Sequence, residues 1–207
     1  MGSPAPLRPR SRWLLRAALV LAWVVGFGGG YASCGSLAYY RTPQALAPSS
    51  PNPTTFEDIA VAARTKFRST RLPLSIAWLL VSAVLVLGAA RTLARRPGGL
   101  SLLRQACVVV SLLSALDFAV SGPERAFLVE QLALLRARQL DKLPPDMTRE
   151  AFTQTARAAG RVGIALRFFA EVAFFSALAM ALGRKAVATE LAPREPAPLP
   201  PPEDDEG

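Results

Sequence analysis

Residues 54–91 read TTFEDIAVAARTKFRSTR, then LPLSIAWLLVSAVLVLGAA, then Arg91. The second part, Leu72 to Ala90, carries no charge over 19 residues, and as a helix it spans roughly 28 Å. That matches the hydrocarbon thickness of a bilayer, so residues 72–90 are expected to cross a membrane. The first part starts with Thr54 and Thr55 ahead of Glu57 and Asp58, a threonine cap with an acid three residues on. Phe56, Ile59, Ala63 and Phe67 then share one helical face, so an amphipathic helix leads into the crossing.

Working outward, three more apolar blocks appear at 13–33, 100–121 and 163–183. Four crossings of about 20 residues leave no room for an ordinary soluble domain. The expected fold is an all-α membrane protein with four transmembrane helices. Residues 13–91 and 100–185 make two two-helix units joined by a turn at 92–99. Residues 1–12 are a basic tail without structure, and 186–207 a Pro-rich acidic tail. Pro43, Pro48, Pro51 and Pro53 mark a linker after the first block. After the third, Gly122-Pro123 closes the crossing and Glu124–Lys142 reads as a second amphipathic helix, with Leu128, Leu132 and Leu135 on one side. Pro144-Pro145 ends it, Asp146 is placed to cap the next helix, and that helix runs from MTREAF into the fourth block.

The chain is 51% hydrophobic with a formal charge of +9. Most of its Lys and Arg sit within a few residues of an apolar block, which is the pattern of membrane anchoring rather than of a nucleic-acid-binding stripe. Histidine is absent and the two cysteines, Cys34 and Cys107, fall toward opposite faces. No catalytic, cofactor-binding or metal-ligating constellation follows from these residues. The first block also has the shape of a signal peptide, with Ser36-Leu37-Ala38 as the better cleavage site. Its length argues for retention.

Arginines set the orientation. Arg8, Arg10, Arg12 and Arg16 precede or enter the first block, and Arg91, Arg95, Arg96 and Arg104 precede or enter the third. Both tails are therefore expected in the cytoplasm, with the long connections outside, in the plasma (inner) membrane. Internal matches point to a duplication with parallel copies. A shift of 93 aligns Thr55, Glu57, Ala63, Arg64, Arg68 and Arg91 with Thr148, Glu150, Ala156, Arg157, Arg161 and Arg184, and a shift of 88 aligns Leu14, Leu15, Arg16, Ala18 and Val20 with Leu102, Leu103, Arg104, Ala106 and Val108.

The candidate site is intramembrane charge, because an ionised group at the bilayer centre costs at least ~2.5 kcal/mol. Asp117 follows Arg104 by 13 residues and Glu171 precedes Arg184 by 13. In antiparallel helices both carboxyls then lie ~20 Å from the same boundary. Arg167, at i, i+4 from Glu171, is expected to sit between them. Gly26 and Gly30 in GxxxG spacing, and the stripe Ala170, Ala173, Ala177 and Ala181, are candidate helix-packing positions.

The function expected from these features is non-enzymatic. A structural or accessory bundle in the lipid bilayer would bind another membrane protein or a second copy of itself. A small transporter or channel subunit using Asp117, Arg167 and Glu171 is the alternative, and a membrane enzyme the third. No cofactor and no nucleic-acid partner is expected.

Overall fold

A computed structural model describes residues 9–41, 55–139 and 148–191. Seven helices account for almost all of them: α1 (Pro9–Tyr39), α2 (Phe56–Lys66), α3 (Arg68–Leu93), α4 (Gly99–Val120), α5 (Gly122–Gln139), α6 (Arg149–Leu182) and α7 (Lys185–Glu190). Four of these, α1, α3, α4 and α6, are long and apolar enough to cross a membrane. The chain is an all-α, four-span protein of the multi-pass type.

Local chemistry fixes the helix ends. Thr55 caps α2 in a capping box: its hydroxyl accepts from the Asp58 N–H at 3.1 Å, and the Asp58 carboxylate accepts from the Thr55 N–H at 3.0 Å. Such a box satisfies two of the otherwise orphaned amides of a helix start. Thr148, not Asp146, caps α6. Its backbone is extended and its hydroxyl accepts from the Ala151 N–H at 3.2 Å; Asp146 lies outside the described residues, as do the linker prolines and Pro144-Pro145. The two capping threonines are the pair related by the shift of 93.

Between α2 and α3 the helix is interrupted at Phe67 (φ −107°, ψ 23°), whose carbonyl accepts from both Thr70 and Arg71. Soon after comes Pro73, which cannot donate to the carbonyl of Ser69. No interruption occurs in α6, which runs 34 residues from the capping threonine through the fourth apolar block. Residues 186–190, expected in the tail, join Lys185 in α7 instead, because Val187 is apolar and is buried against the main core. The acidic end of the tail lies outside the described residues.

The spans pack as an open row. Successive members pack along each other, α1 on α3, α3 on α4 and α4 on α6, while no comparable packing joins α1 to α6. Burial agrees: the central α3 and α4 bury 33% and 39% of their most apolar windows, the flanking α1 and α6 only 22% and 17%. This differs from a closed four-helix bundle. A core of Leu19, Leu85, Leu103, Cys107, Phe175 and Leu182, with neighbours, runs through the row near the end bearing the α3–α4 turn. At the other end α2 packs on α5, and α5 packs on α6. Ile59 and Ala63 supply the buried face of α2, and Val129 and Ala133 belong to that of α5. Phe56, expected on the same face, stays 66% exposed.

Two close approaches set the row's spacing. A Cβ at Gly88 would sit 2.9 Å from the backbone N and Cα of Leu103, so α3 and α4 meet nearly backbone to backbone. A Cβ at Gly26 would meet Val86 at 3.0 Å, while one at Gly30 would make an ordinary 3.6 Å contact with Ser82. Gly88→Ala is expected to destabilise the protein by about 1–3 kcal/mol through overpacking. Gly28→Ala, with open space at its Cβ, should be neutral or mildly stabilising. Thermal unfolding in detergent compares the two, and equal midpoints would remove the close-approach argument.

Candidate functional site

The intramembrane polar groups gather at one level of the row. Trp78 precedes Arg91 by 13 residues, the spacing already noted for Asp117 and Glu171, and it meets Asp117 across the α3–α4 contact. The Trp78 indole N–H donates to Asp117 Oδ2 at 3.3 Å, and the Ser121 hydroxyl donates to Asp117 Oδ1 at 2.5 Å. Ser114 donates to Glu171 Oε1 at 2.8 Å. One turn deeper the hydroxyls of Ser111 and Ser176 lie 3.3 Å apart. Asp117 therefore fastens α4 to α3, and Glu171 fastens α4 to α6.

Arg167 does not stand between the acids. It is exposed on α6 and joins no ion pair with either carboxylate among the described residues. Sharing a helical stripe with Glu171 was not sufficient, because Glu171 turns toward Ser114 on α4 while Arg167 stays on the outer side of the row. The cation near Asp117 is Arg125, from the first turn of α5. Its guanidinium donates to the backbone carbonyls of Asp117, at 2.9 Å, and of Phe118, and lies 4.2 Å from the centroid of the Phe118 ring. A helix end leaves carbonyls without partners and a partial negative charge, both of which a cation relieves. Phe118 in turn stacks on Phe168 of α6, centroids 4.1 Å apart. Burial pushes the Arg125 pKa below its ordinary value, with Asp117 acting in the opposite direction; the group remains a cation.

Beside this corner Arg71, at the start of α3, pairs with Glu124 in the first turn of α5. Glu124 is only 4% exposed and stands in the first turn of α5. Burial, then the Glu124 charge, raises the Tyr40 phenol above its ordinary pKa. A second ion pair, Arg157 with Glu130, ties α6 to α5. Sequence reasoning missed Arg125 because it lies eight positions beyond Asp117, on the far side of a Gly-Pro pair. The available signal was the end of α4 itself, which needs a donor close behind it.

The packing candidates divide. Gly26 and Gly30 face α3. Ala170, Ala173 and Ala177 are exposed, and Ala181 is half-buried, so most of the alanine stripe faces away from the rest of the molecule. Both cysteines are free thiols, Cys34 exposed and Cys107 buried.

Chemically, this arrangement binds helix to helix. Each carboxylate accepts from hydroxyl or indole donors across or along the row. Arg125→Leu is expected to destabilise by about 1.5–3 kcal/mol, the range for hydrogen bonds made by a charged group. Arg167→Leu should stay within about 0.5 kcal/mol. Chemical unfolding in detergent ranks the two, and an Arg167 variant as damaged as the Arg125 one would contradict the assignment. Comparison of the chain with protein-family models, with curated proteins and with solved structures finds no match.

Proposed function

We propose that this is a non-catalytic structural or accessory membrane protein that binds another membrane protein, or itself, through the flanks of its helix row. The observation that carries this reading is the open row. Helix α6 buries 17% of its most apolar window and presents Ala170, Ala173 and Ala177 outward at helical spacing. Small residues let a partner helix approach closely in lipid, where association rests on packing and hydrogen bonds rather than on hydrophobic transfer. The engagement of Asp117 and Glu171 by Trp78, Ser121 and Ser114 also favours a clasp over a transport pathway, since a carried cation or proton would compete with those donors.

Copurification from native membranes tests the reading. Ala173→Phe should abolish a copurifying partner, or reduce the particle to a monomer, with the melting midpoint unchanged because the side chain is exposed. If assembly survives both Ala173→Phe and Ala177→Phe, the α6 flank is not the interface.

The orientation proposed with this function places both termini in the cytoplasm and the α2–α5 layer outside, in the plasma (inner) membrane. Its support is the arginine content of the α3–α4 turn and of the segment entering α1. Reporter fusions at Ser50 and Gly207 should then report opposite sides. The same side for both would exclude this topology.

A further inference from the structure

At the end of the row opposite α5, the α3–α4 turn and the end of α6 gather Arg91, Arg95, Arg96, Arg104, Arg184 and Lys185. Glu190 is the one acid of α7, and among the described residues no carboxylate pairs with Arg91, Arg95, Arg96 or Arg104. Both described ion pairs belong to the other end of the molecule.

The turn is held in one shape. Helix α3 ends in a Schellman arrangement: the Arg96 N–H donates to the Arg91 carbonyl at 2.8 Å, and the Arg95 N–H to the Thr92 carbonyl at 3.1 Å. The Arg91 guanidinium donates to the Pro97 carbonyl at 3.3 Å. Gly99 lies so close beneath that a Cβ there would be 2.7 Å from the backbone of Arg91 and Thr92. On the α6 side, the Arg104 guanidinium rests over Gly183, where a Cβ would be 3.2 Å from Cζ.

Within this turn Arg95 has φ 50°. A left-handed residue after a helix is usually glycine, which adopts that conformation at no steric cost. Three residues later Gly98 does so, at φ 75°. A long cation held where glycine would be easier is an outlier that points toward use of the side chain.

We propose that this turn, with Arg104 and Arg184, binds the phosphate headgroups of anionic phospholipids in the adjoining leaflet. Depth on the membrane selects this partner. Arg104 and Arg184 sit within about a turn of the ends of their apolar spans, and exposed Trp13, one turn before Arg16 on α1, marks the same boundary as an interfacial aromatic. A phosphate at that depth belongs to a lipid. Arginine forks suit its oxygens, and juxtamembrane cations are attracted by anionic leaflets.

The test uses the intact protein in dodecyl maltoside, titrated with phosphatidylglycerol or with phosphatidylcholine of the same chains, and read by native mass spectrometry. Phosphatidylglycerol should bind more tightly, and Arg95→Gly should weaken it about fivefold without changing phosphatidylcholine. The melting midpoint of Arg95→Gly in detergent alone should hold or rise, because glycine relieves the left-handed backbone. Arg95→Lys should keep most of the phosphatidylglycerol affinity. Equal affinity for the two lipids would overturn the proposal, as would unchanged phosphatidylglycerol binding by Arg95→Gly. Binding that appears only after Glu203, Asp204, Asp205 and Glu206 are replaced by Ser would also overturn it, and would assign the patch to the acidic end of the chain itself.

Discussion

At Ser121 the chain leaves one helix and enters another within a single residue, at the edge of an apolar span. The last carbonyls of a helix are short of partners, and although that of Asp117 accepts from the Ser121 N–H at 2.9 Å, leaving the others unpaired at the edge of the span would be costly. Arg125 resolves this by folding back onto Asp117 and Phe118. The fold at that end of the molecule depends on the resulting corner. It turns the chain into α5, which packs on α6, places Glu124 where Arg71 of α3 reaches it, and provides the surface on which α2 packs. Phe118 extends the same corner to Phe168 of α6. Three spans and the amphipathic layer thus meet around one helix terminus.

The spans themselves were legible because a run of about 20 apolar residues has few alternatives to a membrane helix. Their lateral order was not. Every span is apolar around much of its circumference, so the sequence of an isolated helix carries little information on which neighbour it prefers. The decisive contacts are single small residues such as Gly88, which the apolar run around it conceals. The charged cluster shows a different limit. Helical spacing put Asp117 and Glu171 at a common expected height, since rise per residue is nearly constant, and Trp78 and Ser114 are the partners that each carboxylate meets on a neighbouring helix. Azimuth is set by partners on other helices, and it turned Arg167 outward. Likewise Thr148 competed with Asp146 for the cap, and both residue types suit that role; only backbone geometry distinguishes them.

The internal matches have a structural counterpart in the paired caps at Thr55 and Thr148, yet the helices that follow differ. In the first unit the segment is broken at Phe67 before the crossing starts, and in the second it is continuous. The order α1, α3, α4, α6 also sets the two units side by side, with the second helix of one against the first helix of the next. Such an arrangement leaves unlike surfaces at its two ends. An association of α6 with another protein is therefore not required to resemble an association made by α1.

The continuity of α6 has a mechanical consequence. At 34 residues it is ~51 Å long, well beyond the ~30 Å of hydrocarbon it must cross. The excess, on the order of 20 Å, stands beyond the bilayer alongside α5. An unbroken helix behaves as a stiff strut, so a sideways load on its projecting end turns into tilt of the whole rod about its grip on α4. The jointed pair α2 and α3 can bend at Phe67 and absorb the same load. The two halves of the protein thus differ in stiffness, one crossing on a continuous rod and the other on a jointed pair.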